Sequence, residues 1–492
     1  MAVAESLAGG AEASIVQPVA VKPPVGVKLA YCFGQVVESS YLGIAAFIFF
    51  YYTAVLGLSG TLVGTALAIA MALDGAFDPL IGSWSDGVRS KLGRRVPVML
   101  VGAPLAMVTM GLLFSPPPGL APFLLFGWLT LTKVGVRAFA SMYNIPYFAL
   151  GGEMSDDYLE RSRIVSYRLI AGIVTGVILT ALAYSVFFAG VGGLQKPDHY
   201  PAFGWTIASI MLVCALICCA GVWRFAATLP QPQAHPDPML KRLVHGVAEI
   251  VRNKSFLSLF FSILIFSSAA GISSALNNHV YVFVWKIRPE TIQILAYALL
   301  FGILVGTPLT PFLLRFMEKK TAVGAGFGLV MVAWMILPIL RVIGVVRPTG
   351  ADALAWLIPM CLILGIGCGI IFIAYPSMMA DAADEHEDLF GSRREGLYFA
   401  GLGFAQKAAA GVGQMVGGFA LDLMHFPREA GRQIGVNVAE SVQVHLIAYW
   451  ALLPAALSLL GALVFIPYNV NRERHGEITA RLRAKRAREQ GA

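Results

Sequence analysis

Asp74 and Asp78 stand four residues apart inside the apolar run Ala70–Gly82. On a helix this spacing puts both carboxylates on one face, one turn apart. A carboxylate at bilayer depth costs roughly 2.5–3.5 kcal/mol on insertion scales, so it faces a polar cavity or a partner charge. Two on one face suit a cation or proton site; neutralisation by structural salt bridges is the alternative. Lys133, Arg137, Ser141, Asn144 and Phe148 recur at helical spacing and form one continuous face. Counted into their segments, Lys133 and Arg137 reach the depth of Asp74 and Asp78. They can neutralise those carboxylates, occupy the place of a metal cation, or attract an anionic substrate. A further row, Gly403, Lys407, Gly411, Gln414 and Gly418, combines glycines that allow close helix approach with two polar groups facing one cavity. Glu38 shares a face with Tyr31 and Gln35. Asn277 can bond substrate hydroxyls, beside Asn278, His279 and Tyr281, and Tyr375 precedes Pro376. His279 reads as a hydrogen-bonded structural residue, and Met378 and Met379 as packing.

The elements that must position these groups are membrane helices. Of 492 residues, 57% are hydrophobic and 13% charged, against about 25% charged in soluble domains. Twelve apolar spans near or above 20 residues are expected: 27–54, 60–85, 96–115, 120–150, 161–189 and 202–228, then 255–285, 290–317, 321–343, 351–381, 396–424 and 443–470. The chain therefore divides into a disordered tail 1–26, a six-helix bundle 27–228, a proline-containing linker 229–254, a second six-helix bundle 255–470 and a basic tail 471–492. The fold class is an all-α membrane protein. The net charge of +8 sits in short loops and the C-terminal tail, which excludes a nucleic-acid role and places both termini in the cytoplasm by the positive-inside rule. The tail is open to two readings, a helix on anionic lipid or a solvated segment that fixes topology. All six cysteines fall in apolar runs, so neither disulfides nor a metal site are expected. No P-loop, paired histidine ligands or nucleophile elbow occurs, which points away from an enzyme. Transport energy must then come from an ion or substrate gradient.

Asp78-Pro79, Gly82, Asp86 and Gly93-Arg94-Arg95, followed by Pro97, form the most specific local signature. Asp86, Arg94 and Arg95 can latch one conformational state by charge pairing. The segment resembles the loop motif of the major facilitator superfamily; its second-half counterpart, Arg315 to Lys320, is degenerate. Residues 27–470 resemble one branch, the glycoside–pentoside–hexuronide:cation symporters of the melibiose-permease-like family. The resemblance rests on Lys28-Leu29, Tyr31 and Phe33-Gly34, on Tyr51-Tyr52-Thr53 with Gly57-Leu58-Ser59, and on Asp74 with Asp78-Pro79. It also rests on Asn144-Ile145-Pro146-Tyr147, Arg168, Ala380-Asp381 with Asp384, Gly391 with Arg393 to Gly396, and Lys407.

The resemblance implies a major facilitator fold and a role for each matched residue. Asp74 and Asp78 would bind the coupling cation, helped by Ser141, with Lys407 near that site. Arg168 would lie at the sugar site. Three positions depart from the family pattern. Ser39, with Glu38 beside it, stands where the family has a sugar-binding aspartate; Asn144 replaces a second aspartate; Phe148 replaces a tryptophan. Sugar binding through carboxylates is thereby weakened, and galactoside specificity does not carry over. The expectation is a monomeric secondary transporter in the inner membrane, without cofactor, carrying a sugar or glycoside with H⁺ or Na⁺ by alternating access. Candidate substrate-binding residues are Glu38, Ser39, Lys133, Arg137, Asn144, Phe148, Arg168, Asn277, Tyr375 and Gln414. An anionic glycoside or lysolipid-like amphiphile is the alternative cargo, and an uncoupled receptor or scramblase the alternative class.

Overall fold

The computed structural model describes residues 23–155, 157–229, 249–392, 394–428, 430–431 and 436–490. The expected N-terminal tail and most of the linker lie outside these residues. The described chain is helical, as lipid demands: a spanning segment must satisfy its own backbone groups. In chain order the helices are α1 (Val25–Val55), α2 (Gly60–Gly87), α3 (Val96–Leu113), α4 (Pro122–Glu153), α5 (Leu159–Phe187) and α6 (His199–Ala226). The second set comprises α7 (Lys254–Val284), α8 (Pro289–Leu313), α9 (Lys319–Val342), α10 (Gly350–Phe390), α11 (Glu395–Leu423) and α12 (Glu440–Phe465). A final helix, α13, covers Arg472–Gln490. Prolines open α3, α4 and α8, where the missing N–H is no loss.

Eleven of these helices are long and apolar enough to cross a membrane; α11 is not among them. It is 29 residues long, but Gln406, Lys407, Gln414 and Asp422 lower its apolarity. The reason is its position. It packs against α7 on one side and α2 on the other, so it faces protein more than lipid. Within the first six helices, α4 packs on α2 and α3, and α6 on α1 and α3; within the second, α10 packs on α8 and α9, and α12 on α7 and α9. The pairs α2–α11, α1–α7 and α5–α8 join the halves.

A repeat that is weak in sequence is clear in three dimensions. α1 and α7 both end in a π-helical turn, Tyr51–Val55 and Val280–Val284. Leu56 N–H then donates to the Tyr51 carbonyl at 2.8 Å, and Trp285 N–H to that of Val280 at 3.0 Å. The degenerate second-half loop also has a counterpart role: Lys319 at the start of α9 pairs with Asp381 of α10 at 2.6 Å, as Arg94 before α3 pairs with Glu153 of α4 at 2.7 Å.

The two ends of the molecule differ. At the end away from the termini, contacts cross between the halves. The Asp422 carboxylate of α11 caps α2, accepting from the Ser59 hydroxyl, from Gly60 N–H at 3.1 Å and from Thr61 N–H at 2.8 Å. His279 of α7 meets the Thr53 hydroxyl of α1 at 2.9 Å. Tyr184 meets Asn278 at 3.1 Å, and Gly190 N–H donates to Glu290 at 2.6 Å. Gly60 and Gly418 bring α2 and α11 backbone to backbone, with no room for a Cβ. At the terminal end, the ion pairs Arg95–Asp86, Arg94–Glu153 and Lys319–Asp381 each stay inside one half.

The basic tail has a partner in its own chain. Arg474, Arg481 and Arg486 of α13 pair with Glu385, Asp388 and Glu387 of α10 at 2.6, 2.8 and 2.7 Å. Ile478 and Leu482 are buried beneath. One face of this helix is docked on α10, and most of the rest is exposed.

Closure of the end away from the termini depends on the glycine contact. Gly418→Val should hold α2 and α11 apart and raise labelling there by a membrane-impermeant maleimide at an Asn278→Cys reporter. Unchanged labelling would mean that the seal tolerates the added side chain.

Candidate functional site

Midway along α2, α4 and α11, three elements bring charges together. Asp74 is 1% exposed. Its Oδ2 accepts from Arg137 Nη2 and lies 3.2 Å from Lys407 Nζ. Lys407 Nζ also donates to Asp78 Oδ2 at 2.9 Å. The Ser141 hydroxyl sits between the carboxylates, 3.1 Å from Asp74 Oδ1 and 2.8 Å from Asp78 Oδ1. Helical periodicity explains the convergence. Arg137 and Ser141 are one turn apart on α4, as Asp74 and Asp78 are on α2, so the two rows mesh rung by rung. Such a cluster is stable only because each buried charge has an opposite partner and hydrogen bonds fill the remaining positions.

The expectation that Lys133 and Arg137 both neutralise the aspartates holds for Arg137 only. Lys133 is buried, but its ammonium lies 4.4 Å from the centroid of the Tyr41 ring, and none of the described ion pairs includes it. The Arg137 guanidinium lies 4.5 Å from the same ring. Tyr41 therefore interacts with two cations through its π face. Sequence reasoning did not single it out, although it lies three residues beyond Glu38 on one face.

Around this cluster, Asn144 Nδ2 donates to Glu38 Oε2 at 2.6 Å, linking α4 to α1. Ser39 faces Gly172 of α5. Arg168 of α5 stacks its guanidinium 4.9 Å from the Phe148 ring centroid. Tyr31, Phe148, Arg161 and Arg168 line one cavity between α1, α4 and α5. Asp78 and Lys407 keep 29% and 45% of their side chains accessible, so the cluster is not sealed.

Three expected substrate residues make contacts between helices. Asn277 accepts from Trp450 Nε1 at 2.6 Å, tying α7 to α12. Tyr375 is buried and donates to Ser262 at 2.6 Å, tying α10 to α7. The Gln414 backbone carbonyl packs against Gly64 of α2. Tyr375 is held in the interior of the second half, the half-buried Asn277 joins two of its helices, and Gln414 belongs to the α2–α11 contact.

The loop after α2 forms the expected charge pairs and one more. Arg95 meets Asp86 at 2.6 Å and Glu153 at 2.8 Å, and Arg94 also meets Glu153. Glu153 is the acid that sequence reasoning missed. Its signal is its place as the last residue of α4, on the side of the membrane that carries the loop arginines.

With this geometry in view, comparison with known proteins identifies the family. The MFS/sugar transport protein family matches residues 33–472. The chain belongs to that family. It is a multi-pass secondary transporter of the glycoside–pentoside–hexuronide:cation symporter type and not an enzyme. An uncharacterized symporter of Synechocystis is 26% identical, over 93% of this chain and 96% of its own. The isoprimeverose transporter of Lactiplantibacillus pentosus is 24% identical, over 77% of this chain and 76% of its own. Among solved structures, a bacterial homologue of the human lysosomal transporter Spinster shares the fold, with a TM-score of 0.63 at 14% identity, covering 90% of this chain and 97% of that one.

Removing one partner of a buried pair leaves an uncompensated charge, at a cost of roughly 3–5 kcal/mol. Arg137→Gln should therefore lower the melting temperature of the detergent-purified protein, and adding Asp74→Asn should recover most of the loss. A double variant no more stable than Arg137→Gln would show that the pair is not what stabilises the site.

Proposed function

We propose that the chain is a proton-coupled symporter of a sugar or glycoside in the cytoplasmic membrane. Lys and Arg in the loops and tail favour cytoplasmic termini. With that orientation the described conformation reads as inward-facing: the outer end is cross-linked between the halves, whereas the described ion pairs at the inner end each stay within one half.

One observation carries the choice of ion. The Lys407 ammonium contacts both Asp74 and Asp78, and Arg137 holds Asp74 from the other side. A metal cation at this position needs several oxygen ligands and net negative charge. Here two fixed cations already balance the two carboxylates, and Asn144 stands where relatives have an acid. Arginine stays charged at any accessible pH. Lys407 and the carboxylates lie in opposite halves, so their contact reports the relative position of α2 and α11.

Glu38, Ser39, Asn144, Phe148 and Arg168 suit a polyhydroxylated cargo: hydrogen-bonding groups beside an aromatic ring that can stack on a sugar face. The similarity to the isoprimeverose transporter of Lactiplantibacillus pentosus supports that cargo class. Asp86, Arg94, Arg95 and Glu153 brace α2, α3 and α4 as one rigid unit, which rocking between access states requires.

Proteoliposome uptake of isoprimeverose, methyl glycosides and lysophosphatidylcholine tests both cargo and ion. A glycoside should accumulate with an inward proton gradient and show no dependence on Na⁺ at fixed pH. Asp74→Asn and Asp78→Asn should each abolish accumulation while leaving insertion intact, and Arg137→Gly should shift the preference toward Na⁺. Strong Na⁺ stimulation of the wild type without response to a pH gradient would refute proton coupling. Uptake of the lysolipid alone would refute the sugar reading.

A further inference from the structure

A coupling proton needs an acid that can take it up and release it, and the paired carboxylates are poorly suited. Asp74 is engaged by Arg137, Lys407 and Ser141, and Asp78 by Lys407 and Ser141. A proton added to either would displace a charge-assisted contact.

Glu38 on α1 differs. Its described hydrogen bond comes from an amide, Asn144 Nδ2 to Oε2 at 2.6 Å, and none of the described ion pairs includes it. Two acceptors beside it are unmet. Asn144 Oδ1 is buried without a hydrogen-bond partner, and so is Gln35 Oε1, three residues before Glu38. Both orphans are acceptors, and a buried acceptor left unmet is destabilising. An ionised carboxylate can only accept, so it satisfies one side of the Asn144 amide and leaves the other empty. A protonated carboxyl also donates. Its O–H can reach the Asn144 carboxamide oxygen while Oε2 keeps the Nδ2 bond, which closes a two-bond acid–amide ring. The described arrangement holds one bond of that ring and leaves the Asn144 carboxamide oxygen unpaired.

We propose that Glu38, paired with Asn144, is the site that binds and releases the coupling proton. The proposal rests on the reading of the chain as a proton-coupled symporter and adds where the proton sits. The step is a single transfer: water on the outer side supplies a proton to a Glu38 carboxylate oxygen, and the same O–H releases it to water on the inner side. No other bond changes.

The charged groups around Glu38 are consistent with reversible binding. Arg137 of α4, Lys407 of α11 and Asp78 of α2 act on it through space; Arg137 and Lys407 are already matched by Asp74 and Asp78. Lys133 of α4 lies over Tyr41 on the same helix as Glu38 and leaves one positive charge without a contacting partner. α5 brings Arg168, stacked on Phe148. Glu38 thus has no described ion pair to break when it gains a proton. Because Ser39 follows Glu38 and Asn144 also lies in the proposed cargo site, proton and cargo share one shell. Protonation would fix the Asn144 amide before the cargo hydroxyls engage it.

The test needs no cargo. Infrared difference spectra of the protein in proteoliposomes, recorded across a pH titration, show the carbonyl stretch of each carboxyl that becomes protonated. Subtracting the Glu38→Gln titration from that of the wild type should reveal one band of carboxyl protonation, lost in the variant and restored at a shifted position by Glu38→Asp. The same band should persist in Asp78→Asn. A wild-type titration unchanged by Glu38→Gln, with a band lost instead in Asp74→Asn or Asp78→Asn, would overturn this proposal and leave proton coupling standing. Absence of any such band in the wild type, together with Na⁺-driven uptake, would overturn the proton-coupled reading itself.

Discussion

Charge neutralisation at bilayer depth is the constraint on which the rest of the structure depends. Two carboxylates on one face of α2 are tolerable in a low-dielectric interior only with opposite charges in contact. Arg137 supplies one from the same half of the molecule, Lys407 the other from the opposite half. The first pairing fixes how α2 and α4 mesh. The second draws α11 against α2, and α11 can carry Lys407, Gln414 and Asp422 because that contact shields it from lipid. The polar cluster and the low apolarity of α11 have one cause.

The same helix pair determines which end is closed. Gly60, Gly64, Gly411 and Gly418 remove the side chains that would separate α2 from α11, and the Asp422 carboxylate supplies the N-terminal cap that α2 lacks within its own half. Opening this end must break that cap, so closure is a sum of discrete bonds rather than diffuse packing. The end that carries the termini is organised differently. Arg94 and Arg95 tie α2, α3 and α4 together, while Lys319 and the basic α13 tie the α9 and α10 ends together. Each half is stiffened separately, which suits rigid rocking of one half against the other.

The resemblance of the two halves illustrates how geometry outlasts sequence. Lys319 and Asp381 share no motif with Arg94 and Glu153, yet each pair joins the start of the third helix of its half to the fourth. Only the need to match a charge at the terminal end is common to both, and either basic residue meets it.

Apolar spans, their approximate ends, the loop arginines and the facing rows on α2 and α4 followed from the sequence alone, because hydropathy and a 3.6-residue period act within one helix. That Asp74 and Asp78 would need partners also followed, since a lone carboxylate is costly at that depth. Which cation each would take did not. Lys133 and Arg137 lie one turn apart on one face, and only the relative height of α2 and α4 gives Arg137 to Asp74 and leaves Lys133 on Tyr41. Asn277 and Tyr375 looked like cavity residues by type, but the rotation of α7 and α10 turns them toward Trp450 and Ser262. Glu153 and the docking of α13 on α10 likewise depend on long-range contacts. Helix rotation, depth and partner choice are set by packing between segments far apart in the chain, and no local pattern encodes them.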